Sequence, residues 1–259
     1  MRRGNPGAPF PDRMTPPMTF SQKWTVLPAL VLALVMFAVP VALVLREALF
    51  DPGFTLVHFE RFFGRPVFQN VLRNTLMVAG IVATACLLIG YPMALYIVTR
   101  PARWRPLLLF LVLVPMWMSI LVRTYAWMVV LGREGVINHA LLALGVIEAP
   151  LQMLYTSGAV YVAMVQILLP IMVVTCYSAM TEIDLGLIRA ARVCGAGPVR
   201  AFRHVFVPLS LEGALTGWSV IFILSLGFFI VPALLGGRRD GLLGNMIVTQ
   251  VAQTNWGFA

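Results

Sequence analysis

Five long runs of apolar residues alternate along the chain with shorter segments rich in charged residues, glycine and proline. The runs cover residues 24–46 and about 71–98, 107–131, 155–180 and 211–235. A helix of this length, rising about 1.5 Å per residue, crosses a hydrocarbon core about 30 Å thick. The runs lack the polar–apolar alternation of barrel strands. The pattern therefore predicts an all-α, polytopic bundle of transmembrane helices with five spans.

Composition supports a membrane protein. Hydrophobic residues make up 60% of the 259 residues and charged residues only 11%, whereas soluble domains carry about 25% charged residues. The net charge of +9 would favour a nucleic-acid partner in a soluble protein. Here the positive charges lie between the apolar runs, where they set topology, so we expect membrane lipid and no nucleic acid as a partner.

Basic residues are concentrated in the N-terminal tail, residues 1–23, and in the connections after the second and fourth runs. By the positive-inside rule these segments face the cytoplasm. We therefore expect a multi-pass protein of the bacterial inner membrane with a cytoplasmic N-terminus. Five spans would leave the C-terminus outside, and we expect a sixth span beyond the last residue. The connection after the fourth run, residues 181–210, is the longest cytoplasmic one.

This connection carries helix signals of its own. Thr181 and Asp184 can cap the start of a helix over 185–194. The Gly-Ala-Gly-Pro sequence at 195–198 then ends that helix, and its proline suits the first turn of a second helix. We expect the second helix to end before Pro208, which gives a helix–turn–helix between two spans.

The side chains of the connection suit a docking surface. Ala190 and Ala191 allow close backbone approach, and Phe202 and Phe206 are spaced to share one helix face. Four arginines surround them. Two interpretations remain open from these residues alone: docking to a partner protein, or an interfacial helix pair on anionic lipid. The adjoining spans argue against a DNA-binding helix–turn–helix.

The sequence IDLGLIRAARVCGAGPVRAFRHVFVPL, residues 183–209, resembles the EAA loop of binding-protein-dependent ABC importer permeases. The family pattern has Glu-Ala-Ala, a glycine shortly after, and Leu-Pro further on. Ala190, Ala191, Gly195 and Pro208 match it, whereas Arg189 stands in place of the glutamate and Val207 in place of the leucine.

The resemblance implies a type I importer permease fold, with this loop seated in a groove of the ATPase subunit. The residues that it implies for ATPase docking are Arg189, Ala190, Ala191, Gly195, Ala196, Phe202 and Pro208. The reversed charge at Arg189 leaves any contact of the family glutamate unaccounted for.

Two further segments, 121–138 and 231–247, and the terminal Asn-Trp-Gly-Phe resemble the spermidine/putrescine-type branch of these permeases. The resemblance implies a permease domain over 70–259 and a polyamine as the imported solute. It also implies an ABC ATPase dimer that binds the ATP, a second and paralogous permease subunit, and a periplasmic substrate-binding protein.

Arg123 lies within the third apolar run, and ionisable residues inside a membrane are candidates for function. It is expected either to line the translocation path or to serve a structural role inside the bundle. No Asp or Glu lies in the spans before residue 181, so aromatic faces are the candidate partners of a cation. These aromatics, which also fit ordinary packing, are Trp117, Tyr125, Trp127, Phe228 and Phe229.

No catalytic or metal-binding motif is present in the sequence. Without a P-loop this chain has no means of hydrolysing ATP, so we expect no cofactor in it and no enzyme activity. The three cysteines form no CxxC motif and fit small buried hydrophobic residues. The alternative is a secondary transporter or a channel not powered by ATP, which would leave the 181–210 connection unexplained.

Overall fold

The computed structural model describes residues 20–50, 54, 57–237 and 240–253. In these ranges the chain is helical and contains no strand. The α-helices are α1 (Phe20–Leu49), α2 (Val57–Gly64), α3 (Pro66–Thr99), α4 (Arg105–Leu113), α5 (Ile120–Leu131), α6 (Val136–Ala143), α7 (Ser157–Glu182), α8 (Leu185–Val193), α9 (Pro198–Ala201), α10 (Val207–Leu226), α11 (Ile230–Leu235) and α12 (Leu243–Ala252).

Four continuous helices are long and apolar enough to cross a membrane. They cover Leu27–Leu49, Pro66–Thr99, Ser157–Glu182 and Pro198–Leu226. A bent pair, Arg105–Trp117 and Ile120–Ala143, makes a fifth span if its two helices are taken together. The prediction of an all-α polytopic bundle is confirmed. The chain divides into two units: α1 belongs to the first, and the second begins at Val57.

The core of the second unit is formed by α3, α7 and α10, which pack through small residues. Ala79, Ala83 and Ala163 are fully buried. A Cβ atom added to Gly213 would lie 2.1 Å from the Cβ of Ala179, so α7 and α10 approach too closely there for a larger residue. Helices in a membrane associate through such contacts because lipid tails are as apolar as the side chains.

Two side-chain hydrogen bonds also join α10 to α3. The hydroxyls of Tyr91 and Ser210 lie 2.7 Å apart, and the Trp218 indole N–H donates to the Thr84 hydroxyl at 3.2 Å. Polar pairs of this kind fix which faces of two apolar helices meet, since hydrophobicity alone does not distinguish the faces.

The span predicted over about 107–131 is not one continuous helix. A 3₁₀ turn at Val114–Trp117 follows α4, and the chain bends by 92° before α5 begins. Pro115 has no N–H to donate, and its ring opposes a continuing α-helix. Met118 and Ser119 are extended at the bend.

The prediction of one helix over 211–235 is also wrong at both ends. The helix is already formed at Pro198, and it ends at Leu226. Pro232 cannot donate to the Phe228 carbonyl, so α11 does not continue back through that residue. The side-chain amide of Asn245, in α12, donates to the Phe229 carbonyl at 3.0 Å. This hydrogen bond joins α12 to the break between α10 and α11.

The expected helix end before Pro208 does not occur. A π-turn at Phe202–Phe206 joins α9 to α10, and the Val207 N–H donates to the Phe202 carbonyl. The wider turn accommodates Pro208, because a proline removes one α-helical hydrogen bond and crowds the preceding turn. Pro198–Leu226 is therefore one continuous helix.

Thr181 does not start a new helix. It lies inside α7, where its hydroxyl donates to the Ser178 carbonyl at 2.8 Å. Only the second expected capping residue, Asp184, precedes α8 as its cap.

Candidate functional site

The connection between α7 and α10, residues 183–206, begins with a well-capped helix. The Asp184 carboxylate accepts a hydrogen bond from the Gly186 N–H at 2.7 Å. This bond satisfies one of the free N–H groups in the first turn of α8, and the negative charge suits the helix N-terminus. The cap fixes where α8 starts relative to the end of α7.

The end of α8 is a left-handed turn at Gly195, whose φ is +85°. The Gly195 N–H donates to the Arg192 carbonyl and the Ala196 N–H to the Ala191 carbonyl, both at 3.0 Å. This pair of bonds is a Schellman motif, which favours glycine at the left-handed position. The break predicted at 195–198 is therefore a defined helix end, after which the chain turns toward α9.

The predicted docking residues divide by exposure. Arg189, Ala190 and Pro208 are exposed, whereas Ala191 and Ala196 are half-buried. The two half-buried alanines lie beside the Schellman turn. The exposed ones are therefore better placed to touch a partner directly.

Phe202 and Phe206 do not form one exposed face. Their rings stack with centroids 5.4 Å apart, but Phe206 is buried in the core cluster and only Phe202 remains exposed. The π-turn places them one above the other. Phe206 thus anchors the connection to the bundle, which leaves Phe202 as the available aromatic.

Two valines that the sequence did not single out are the most exposed apolar side chains here. Val193 is 89% exposed and Val199 is 76% exposed, on either side of the Gly195 turn. Exposed apolar groups close together mark interaction surfaces. Their signal in the sequence was weak, because single valines between arginines do not form a pattern.

A cleft of about 610 Å³ lies between α7, α8 and α10. Three carboxylates line it, those of Glu182, Asp184 and Glu212, together with Thr175, Ser178 and Thr216. The cleft places polar groups directly beside the α8 cap. Movement of α8 would therefore change the shape of this end of the bundle.

The predicted path residue Arg123 lines a second cavity, of about 300 Å³, together with Trp127 and Gln166. The Trp127 indole N–H donates to the Gln166 side-chain oxygen at 3.4 Å. Arg123 Nε and Nη1 are buried and have no hydrogen-bond partner in the described part of the chain. Remaining lining residues are Pro115, Met118, Ala126 and Val130.

The other predicted path residues do not line this cavity. Trp117 is 73% exposed and packs edge-on against Phe110, with ring centroids 5.5 Å apart. Tyr125 is exposed on α5. Phe228 and Phe229 occupy the break between α10 and α11. The helix α11 packs against α5, so the short helix after α10 lies beside the bent pair of helices.

Residues 86–258 match the family described as "Binding-protein-dependent transport system inner membrane component". The match includes the α7–α10 connection and the bent pair of helices. The chain belongs to this family.

Relatives in the family are permease proteins. "Spermidine/putrescine transport system permease protein PotB" of Escherichia coli (strain K12) is 39% identical over 197 residues, covering 76% of this chain and 71% of that protein. The protein of the same name from Haemophilus influenzae is 38% identical over 205 residues, covering 79% and 71%. "Inner membrane ABC transporter permease protein YdcU" of E. coli is 31% identical over 212 residues, covering 77% and 67%.

Solved structures share the fold. A chain of a bacterial ABC transporter involved in the import of the acidic polysaccharide alginate has a TM-score of 0.67 at 19% identity, covering 91% of this chain and 86% of that one. A second structure of a bacterial alginate ABC transporter, in complex with an alginate pentasaccharide-bound periplasmic protein, gives 0.68 at 18% identity, covering 91% and 85%. The predicted ABC importer permease fold is confirmed.

Family membership confirms the predicted function as an ABC importer permease in the inner membrane. The alternative, a transporter or channel not powered by ATP, is not favoured. Among the polar residues of this permease, Gln166 was missed by the sequence analysis. A lone glutamine inside an apolar run was the available signal, but its Trp127 and Arg123 neighbours lie far away in sequence.

Proposed function

We propose that this permease imports polyamines of the spermidine and putrescine type. The observation that carries the proposal is the 39% identity over 197 residues to the spermidine/putrescine permease of E. coli. The aligned stretch accounts for most of both chains. A permease that shares this much sequence is expected to share the chemical class of its solute.

ATP would be bound and hydrolysed by a separate ABC ATPase dimer, so this chain would be neither an enzyme nor a cofactor carrier. The α7–α10 connection would seat on one ATPase subunit through Arg189, Ala190, Phe202 and the valines flanking Gly195. The other predicted docking residues, Ala191, Ala196 and Pro208, would shape that surface. A second, paralogous permease would serve the other ATPase subunit, and a periplasmic binding protein would deliver the solute.

The N-terminus would face the cytoplasm. Support comes from the basic residues of the α3–α4 and α7–α10 connections, which the positive-inside rule places on the same side as the N-terminal tail. The same orientation puts α8 on the side where ATP is available.

Coupling would use the continuous helix Pro198–Leu226 as a rigid lever. Its first turn follows the Gly195 turn, and its last two-thirds pack in the core against α3 and α7. A displacement of α8 by the ATPase would therefore be transmitted into the membrane without a flexible joint. The direction of movement requires that the ATPase contact the loop differently in its two states.

Recognition of the cation would rely on aromatic faces. The apolar runs before residue 181 contain no carboxylate, and each cation–π contact contributes about 0.5–2 kcal/mol. Trp117, Tyr125 and Phe229 are exposed and available to a solute or to the second permease. Selection among polyamines would then rest mainly with the binding protein.

The test is uptake of radiolabelled spermidine and putrescine by cells that express the complete transporter and lack other polyamine uptake. Saturable uptake that is lost when the ATPase subunit is inactivated is the expected result. Wild-type expression with no polyamine uptake, but with uptake of a different solute class, would contradict the polyamine assignment.

The docking assignment has its own variants. Ala191→Trp and Gly195→Pro should both reduce co-purification of the ATPase, because one adds bulk at the surface and the other cannot adopt a positive φ. Gly64→Ala is a suitable control, since a Cβ there meets nothing within 4 Å. Full ATPase association in both docking variants would show that the loop does not dock.

A further inference from the structure

The Arg123 guanidinium is the most poorly satisfied charged group in the described bundle. Its Nε and Nη1 atoms are buried and donate to no group in the part of the chain that the structure describes. The nearest polar side chain in the cavity, Gln166, already accepts a hydrogen bond from Trp127. The Arg123 side chain as a whole is half-buried. An unpaired charge inside a membrane is costly, and an arginine there is nearly always paired.

No carboxylate of the described residues accepts a hydrogen bond from Arg123 Nε or Nη1. Gln166 is the tenth residue of the 26-residue helix α7, whose last residue is Glu182. At about 1.5 Å per residue, Glu182 lies about 24 Å along the helix from the cavity. Glu212 lines the same distant cleft as Glu182. Glu134, in the turn between α5 and α6, is exposed and follows Arg123 by eleven residues.

We infer that the Arg123 cavity receives a carboxylate from a second permease chain that differs from this one. This inference rests on the proposed pairing of two permeases. A polyamine carries no anionic group, so the proposed solute cannot supply the counter-charge. A resident carboxylate also satisfies Arg123 while the transporter is empty, which a transient solute would not.

The surface around the cavity has the character of an interface. The lining residue Met118 is exposed, and so are Trp117 and Tyr125, which adjoin the lining residues Met118 and Ala126 in sequence. Interface cores are enriched in aromatic residues and methionine and are depleted of charge except for arginine. The cavity, about 300 Å³ in volume, has room for a carboxylate side chain.

The first test uses the complete transporter with Arg123→Gln and Arg123→Lys. The Gln variant should reduce co-purification of the second permease by at least about tenfold, because it leaves the partner's carboxylate buried and unpaired. The Lys variant, which keeps the charge, should retain more of the partner. Arg133→Gln, an exposed arginine just beyond α5, is the matched control.

The deciding test is charge exchange. Arg123→Glu is combined in turn with a change to Arg at each intramembrane Asp or Glu of the second permease. One combination should restore association, and cysteines at the same two positions should form a disulfide in a Cys194→Ser background. Restoration by none of them, with no cross-link, overturns the inference.

Solute binding by Arg123 gives a different result. If Arg123→Gln assembles normally and only the KM for uptake changes, the guanidinium faces the solute and the inference is wrong. Assembly is measured without any solute, so failure of the polyamine assignment would leave this test intact.

Discussion

The two ends of α7 carry connections that are held in opposite ways. At one end, residues 144–156 are fastened by Asn138, which is fully buried. Its amide donates to the Gly132 and Leu151 carbonyls at 2.9 and 3.0 Å, and its oxygen accepts from the Leu151 N–H at 2.9 Å. At the other end, the α7–α10 connection is held by the caps of α8 and by few buried side chains.

The difference shows which end is built to move. One buried amide with three hydrogen bonds holds the α6–α7 connection, since displacing it would break all three bonds and leave the Leu151 N–H without a partner. The α7–α10 connection has a defined shape but exposed apolar side chains, so it can be shifted as a unit by a partner. Each connection also turns at a glycine with positive φ, Gly145 at +67° and Gly195 at +85°.

The largest expected effect comes from removing the buried amide. Asn138→Leu removes three hydrogen bonds of about 1 kcal/mol each and leaves the Leu151 N–H without a partner, so it should lower the free energy of unfolding by about 3 kcal/mol. Thermal unfolding in detergent measures the loss. His139→Ala, at the exposed next position, should leave the unfolding temperature within about a degree of wild type.

Substitution of one exposed valine in each connection should distinguish an effect on ATPase docking from an effect on protein stability. Val199→Asp should weaken ATPase association by about 2 kcal/mol, a typical loss at an interface hot spot. The change should not harm folding, because an acidic residue suits the first turn of the helix that begins at Pro198.

The matched change, Val146→Asp, lies in the α6–α7 connection at a site 66% exposed. It should leave ATPase association unchanged. Co-purification of the ATPase with each variant is the measurement, and equal losses in the two variants would remove the distinction between the connections.

Gly145 and Gly195 both have a positive φ, so the same substitution should strain the backbone of both connections by a similar amount. Gly145→Ala and Gly195→Ala each force an L side chain into positive φ, at a cost of about 1–2 kcal/mol, with open space around the Cβ in both cases. Both should lower stability. Only Gly195→Ala should also lower the solute imported per ATP hydrolysed, which is measured in proteoliposomes that contain the whole transporter.

The smallest effect is expected from the two helix caps. Asp184→Ala removes the cap of the nine-residue helix α8, and Thr156→Ala removes a longer bond, 3.4 Å, to Ala159 at the start of α7. Loss of a cap costs about 1 kcal/mol. Hydrogen exchange should rise roughly fivefold across α8 in the first variant but only in the first turn of α7 in the second, because tertiary packing holds α7.

Much of the fold could be predicted because its signals are local. Apolar runs long enough to cross a membrane identified the spans, and Asp184 and the Gly195 turn identified the ends of α8. Capping and hydropathy depend on residues that are neighbours in sequence. Both ends of α8 could therefore be predicted from the sequence alone.

Only the tertiary structure decided where spans break and which polar groups meet. The bend near Pro115 interrupts no apolar run, and Pro208 is absorbed by a π-turn instead of ending a helix. Arg123 and Gln166 are more than forty residues apart in the sequence, and they come together because α5 packs against α7. Hydropathy records how apolar a segment is. It does not record which of its faces meets a neighbouring helix, and packing alone determines that.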